Sequence, residues 1–179
     1  LQSTLEDLDI ESARILAQLP EAFIVSVKGI GITLCSSICA EIGSISQARD
    51  CDQINAYAGI VPKVKQTGGP EAAARVGGKR RSFNRVLKDY TLQAGNHLYL
   101  HGPQELLEDA TRRKLAGKAV DTAMARRFIR MARALTKGHC IYLPTYLRAD
   151  QTEADSEERA RYIQQTWPDL LLKWLKTVS

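Results

Sequence analysis

Cysteine is sparse in this sequence, and none of it is spaced to hold a metal. Cys35, Cys39, Cys51 and Cys140 form no C-x-x-C pair, which excludes the usual zinc arrangement. Four thiols in 179 residues also make a poor disulfide framework. Cys35 and Cys39, four apart, read as small buried side chains on one helix face. No apolar run approaches the roughly 20 residues needed to span a bilayer, and no secretory signal is visible. H-E-x-x-H, G-x-S-x-G and the Walker loop are all missing. No Asp/Glu cluster suggests a two-metal nuclease centre. His97 and His101 have helix-face spacing, but no Cys or acid nearby completes a ligand set, so no metal is expected in this chain. Strand-like alternation, internal repeats and low-complexity tracts are absent too. A mostly α, soluble, intracellular protein is expected, and the apolar share of 44% can supply its core. The chain begins with Leu1, so we read it as a piece of something longer.

Acid is also missing from the middle of the chain. Eight basic residues lie between Lys63 and Lys88 against Glu71 alone, and nine between Arg112 and Lys137 against Asp121 alone. The acids collect in Glu6–Glu11 and Asp150–Glu158. Either basic cluster by itself reads as a solvated helix face. Two of them flanking a Gly-rich loop favour a surface for a polyanion, most simply nucleic acid.

Leu1, Leu5, Leu8, Ser12, Ile15 and Leu19 are spaced 4, 3, 4, 3, 4. That is a heptad seam with one polar break, ended by Pro20. It fits the end of a coiled-coil arm over 1–19, and equally an amphipathic helix packed on its own domain. The segment from Phe23 leads through Gly29-Ile30-Gly31 into a helix ending near Ile42, with Gly43 as its cap. Two glycines before a helix resemble a helix-hairpin-helix element. They allow a tight turn and bare the amides that favour a phosphate. Asp50 or Asp52 caps the next helix, with Ile54, Tyr57 and Ala58 facing inward. Residues 63–81 read as a loop or short irregular hairpin. A helix resumes near Ser82 and runs to about Leu100, with Phe83, Val86 and Leu87 among its apolar positions. Another spans Gln104 to Leu115. The stretch 121–136 has the cleanest helical pattern, with a second stripe at Arg126, Arg130, Arg133 and Lys137 and Gly138 as cap. Residues 20–143 are taken as the main domain, and 144–179 as a linker with a last amphipathic helix.

One position invites chemistry. Thr67 sits against Gly68 and Gly69, among Lys63, Lys65, Arg75, Lys79, Arg80, Arg81 and Arg85. A hydroxyl becomes a nucleophile when a neighbour takes its proton, and arginines offset the charge that builds on an attacked phosphate. A turn threonine bonded to its own backbone explains the composition equally well, and more simply.

Three strings settle a resemblance. They are Val27-Lys-Gly-Ile-Gly31, Ala40-Glu-Ile-Gly-Ser-Ile45, and Ile54-Asn-Ala-Tyr-Ala-Gly-Ile-Val-Pro62 followed by Gln66-Thr-Gly-Gly69. Together they resemble the C-terminal transposase domain of the insertion-sequence-110/116/902 family. Lys79 to Leu87 fits a following basic stretch loosely, and Ala116 to Lys137 a later helix. The likeness covers roughly residues 15–143, with Tyr57–Gly69 as its specific core. It implies a DNA recombinase in which a RuvC-like domain with four acids and Mg²⁺ precedes this one. It also implies a serine nucleophile, a position held here by Thr67. DNA would be held by Gly29, Gly31, Lys63, Lys65, Gly68, Gly69, Arg75, Lys79, Arg80, Arg81, Arg85, Arg126, Arg130 and Arg133. A guide RNA serves some members, and assembly as dimers or larger homo-oligomers is implied, in a bacterial or archaeal cytoplasm at the nucleoid. No cofactor is expected within this chain, and alone it should bind DNA without cutting it. Two rival readings stay open: a non-catalytic nucleic-acid module, and an assembly domain.

Overall fold

A computed structural model describes residues 2–61, 64–65, 75–76, 83–102, 104–112 and 118–143. Within them the chain is almost entirely helical. Helix α1 (Gln2–Leu16) leads into a 3₁₀ helix (Pro20–Ser26), opened by Pro20, whose missing N–H costs nothing at a first turn. Helix α2 (Ile32–Ile42) ends at Gly43, whose N–H donates to the Cys39 carbonyl at 2.8 Å. Helix α3 (Cys51–Tyr57) starts at Asp50, whose carboxylate accepts from Gln53 N at 2.8 Å. That bond, helped by Arg49, holds the Asp50 carboxyl below its ordinary range. Strands β1 (Val64–Lys65) and β2 (Arg75–Val76) pair antiparallel, Val64 opposite Val76 and Lys65 opposite Arg75. Helices α4 (Arg85–His101), α5 (Gln104–Arg112) and α6 (Lys118–Gly138) complete the described fold.

The core lies where α4, α6, α2 and the 3₁₀ helix meet, around Ile24, Val25, Ile38, Leu87, Leu98, Phe128 and Ile129. Cys35 and Cys39 are buried in it. The neighbouring Cys39 thiol, with burial, pushes the Cys35 thiol up, and its Sγ donates to Glu21 O at 3.5 Å, which suits an inert packing role. Helices α4 and α6 pack tightly at Gly95, where an added Cβ would lie 2.6 Å from Ala125 N. Gly95→Ala is therefore expected to force the two backbones apart and cost about 1–3 kcal/mol. A thermal melt indistinguishable from wild type would refute so tight a crossing.

Two polar contacts hold the 43–50 connection, and the sequence pattern announces neither. The Glu21 carboxylate, 1% exposed, accepts from Ile45 N at 2.9 Å and from Ser44 Oγ at 3.1 Å. From the other side, Arg133 Nη2 donates to the carbonyls of Ala48 at 3.1 Å and Arg49 at 2.7 Å. Ser26 Oγ, which donates to Phe23 O, accepts from Tyr142 N at 2.8 Å and ties the 140–143 segment back to the 3₁₀ helix.

Several expectations change. The heptad positions do not face the domain: Leu5 is 62% and Leu8 58% exposed, and Ile15 and Leu19 are exposed with them. Helix α1 docks instead through Ala13 and Leu16, with Ala17 just beyond its end, so its seam is a second apolar stripe on the open side. Tyr57 points outward at 50% exposure, because its hydroxyl has a polar partner there. Val86 is exposed because the helix starts at Arg85, which puts Leu87, Thr91, Ala94 and Leu98 on the buried side. Gly138 is the last helical residue rather than the cap. His139 takes the left-handed conformation (φ 46°), and Cys140 N closes the turn on Leu135 O at 3.2 Å. The expected segment 144–179 lies outside the described residues, as do residues 113–117.

Candidate nucleic-acid interface

Two backbone features bracket α2. At its start, Ile30 N donates to Val27 O at 3.0 Å, closing a turn with Gly29 at φ +93°. That angle suits glycine, and so does the packing: an added Cβ would sit 3.1 Å from His97 O and 3.2 Å from His101 Cβ. The turn is thus seated on the last turns of α4. Gly31 is the N-cap residue of α2, and no side chain caps the helix there. It is exposed, with open space where a Cβ would stand. Uncapped amides at the positive end of a helix are a favourable place for an anion. One carboxylate already stands near: Thr33 Oγ1 donates to Asp9 Oδ1 at 3.2 Å. Lys28 is exposed on the same turn. His97 and His101 have ring centroids 6.0 Å apart, and among the described residues no group of three His, Cys, Asp or Glu converges there or elsewhere.

At the far end of α2 the chain closes a loop. The residues on either side of 62–82 are fastened together. Asn84 N donates to Tyr57 O at 2.9 Å. The Phe83 ring occupies the place a side chain on Gly59 would need, since an added Cβ there would lie 2.6 Å from Cδ2. Asn84 Oδ1 caps α4 by accepting from Leu87 N at 2.9 Å, while Nδ2 donates to Glu41 Oε2 at 2.6 Å and to Tyr57 Oη at 3.3 Å. Glu41 is half-buried and engaged in this contact. Lys88 Nζ stands 5.5 Å from the Phe83 ring centroid, a cation over the aromatic face at the same stem.

The expected site residues divide sharply. Thr67, Gly68, Gly69, Lys63, Lys79, Arg80 and Arg81 lie outside the described residues. Lys65 and Arg75 fall opposite one another in the antiparallel β1–β2 pair. Arg85 is exposed at the first turn of α4, beside the stem. Along α6, Arg130 is exposed and Arg126 half-buried, whereas Arg133 spends its guanidinium on the two backbone carbonyls of the 43–50 connection. Gly29 and Gly31 are brought together at one turn. Sequence reasoning missed Glu21 and undervalued Glu41 and Tyr57. Their only advance signal was position, a carboxylate or phenol in otherwise apolar helical runs.

Residues 21–104 match the family model described as Transposase IS116/IS110/IS902 family. The match supports a transposase domain of that family over this segment, which contains the Gly29 turn, α2, α3 and most of α4 with the residues that flank 62–82. The match ends before α6. No curated protein matches the chain. No described helix is long and apolar enough to cross a membrane.

Proposed function

We propose that this transposase domain exchanges DNA strands through a side-chain hydroxyl, that of Thr67. The Thr67 Oγ–P bond forms as one P–O bond to sugar breaks; the hydroxyl gives up its proton and the departing strand oxygen gains one. Lys63, Lys65, Arg75, Lys79, Arg80, Arg81 and Arg85 neutralise the strand's phosphates, with the Gly68 and Gly69 amides beside the reacting one. Gly29 and Gly31 offer the amides of α2 to a further phosphate, as a helix-hairpin-helix-like element, and Arg126 and Arg130 extend the cationic surface. The observation that carries this reading is the fastened stem. The residues flanking the basic 21-residue segment 62–82 meet at Tyr57 and Asn84, joined there by Glu41 of α2. A loop serving only as a spacer has no need of it.

By the same reading this segment binds the strand, and cutting also needs the acidic set with Mg²⁺ that the resemblance implies. The test uses the full-length protein with substrate DNA: denaturation should leave DNA covalently attached, and the adduct should map to the peptide containing Thr67. Salt-sensitive binding without any adduct would favour the non-catalytic module instead.

Assembly draws on a separate observation, the exposed stripe of Leu5, Leu8, Ile15 and Leu19. Its heptad spacing fits the same stripe on a second copy. The double variant Leu8→Glu/Ile15→Glu should weaken self-association at least about tenfold, since each buried leucine or isoleucine contributes about 1.5–3 kcal/mol. Sedimentation of the full-length protein reads this directly. An unchanged oligomer would place the interface elsewhere.

A further inference from the structure

We infer that Arg49 contacts duplex DNA, held beside Arg126 and Arg130 so that the 43–50 connection and α6 form one cationic surface. It rests on the DNA-binding part of the reading above and extends it to a residue outside both basic clusters of the sequence. In space Arg49 joins the second cluster. Arg133 Nη2 donates to Arg49 O at 2.7 Å and to Ala48 O at 3.1 Å, and Nε reaches Ala48 O at 3.4 Å. The Arg49 backbone therefore lies against α6, 84 positions later in the chain. Arg130 stands three residues before Arg133 and Arg126 four before that, the spacing at which helical side chains are neighbours. Arg49 and Arg130 are thus both immediate neighbours of Arg133.

Two of these arginines are arranged in opposite ways. Arg133 is half-buried, and its donors are committed to backbone carbonyls. Arg49 has a fixed backbone and an open side chain, 91% exposed. Its one bond runs from Nε to Asp50 Oδ2 at 3.3 Å, and Asp50 is itself engaged as the cap on Gln53 N. The terminal nitrogens of Arg49 have no partner among the described residues, which leaves the fork that suits a phosphate. The start of the connection is held as well. Glu21 binds Ile45 N and Ser44 Oγ, and Ser44 Oγ meets Ser46 Oγ at 2.8 Å. A guanidinium on so fixed a backbone loses less freedom on binding than one on a loose loop.

The charge and the shape fit a duplex backbone. Arg126 and Arg130 have no ion pair among the described residues. Between 122 and 138 there is no acid, and between 43 and 57 only Asp50 and Asp52. Four residues along α6 advance about 6 Å, close to two phosphate steps of one strand at about 3.4 Å each. A single strand would instead be held by stacking on aromatic rings. Phe128, the one aromatic of α6, is buried, and 43–50 has none.

The experiment titrates the full-length protein with duplex DNA of two unrelated sequences, and with duplex RNA, at several salt concentrations. Thermal melts accompany it. Arg49→Ala should make the salt slope for DNA shallower by about one, equally for both sequences, at an unchanged melting temperature. Arg49→Lys keeps the charge and should restore the slope. Arg49→Ala/Arg130→Ala should lose about two, because separate phosphate contacts add. Arg14→Ala removes an exposed arginine paired with Glu11 on α1, and should match wild type. Arg49→Gln keeps a donor for Asp50 without the charge and should behave as Arg49→Ala, which keeps the test decisive if the alanine variant folds poorly. A wild-type slope in Arg49→Ala and Arg49→Gln, an equal loss in Arg14→Ala, or a loss confined to duplex RNA overturns the assignment of Arg49 alone. A wild type whose affinity for DNA ignores salt sinks the DNA-binding reading, and Arg49 with it.

Discussion

Thr67→Ala in the full-length protein is expected to abolish strand exchange, by about 10⁴-fold or more, while DNA binding persists at wild-type strength. Removing a covalent nucleophile deletes the intermediate itself, and losses of that order accompany it. A phosphate-contacting hydroxyl behaves otherwise: its loss weakens binding by about one hydrogen bond, near 1 kcal/mol, and leaves turnover nearly intact. Thr67→Ser supplies the other half of the argument. Serine keeps the oxygen and sheds the methyl group that restricts rotation about χ1 and crowds the approach to phosphorus. It should therefore match or exceed the wild-type rate. A turn threonine predicts the reverse pattern, with Thr67→Ala tolerated and no gain from serine. If Thr67→Ala recombines as wild type does, the nucleophile assignment fails, and the fastened loop becomes a docking surface.

What could be read from the sequence was the part governed by neighbours a few residues away. The Asp50 cap works because its carboxylate meets Gln53 N three residues on, and that spacing is visible in the string. Gly43 closes α2 for the same local reason, and the apolar stripe of α6 follows from its helical period. The residues that were misread are those whose partners lie far along the chain. Tyr57 has the spacing of a core residue beside Ile54 and Ala58, but its hydroxyl is met by Asn84, 27 positions later. Glu41 gives no sign of its partner, because Asn84 lies 43 positions away. Arg133 shares a stripe with Arg126 and Arg130, yet the carbonyl it holds at Ala48 is 85 positions distant. For α1 the period was right and the side was wrong. Two apolar stripes run along it, and only packing against α2 and the 3₁₀ helix decides that Ala13, Leu16 and Ala17 face inward. The candidate site divides in the same way. Its glycines and cations could be named from the string, whereas the clamp joining the loop's ends required the fold.

The basic residues can be sorted by the same logic, and the expected differences are large. Each phosphate contact releases counterions, so the logarithm of DNA affinity falls with that of salt at a slope of about 0.9 per contact. The triple variant Lys79→Ala/Arg80→Ala/Arg81→Ala should make the slope shallower by about three and weaken binding to all sequences alike. Arg130→Ala, on the open face of α6, should remove about one. Arg133→Ala should leave the slope alone, because its guanidinium is committed to the Ala48 and Arg49 carbonyls. Its cost should fall on stability, about 1.5–3 kcal/mol for bonds from a charged donor to partners left unsatisfied. Titrations at several salt concentrations, paired with thermal melts, separate these outcomes. If Arg133→Ala flattens the slope as much as Arg130→Ala, the carbonyl clamp is incidental and the whole α6 stripe belongs to DNA. If it lowers only the melting temperature, Arg133 belongs to the fold, and the share of α6 in the cationic surface is that of Arg126 and Arg130.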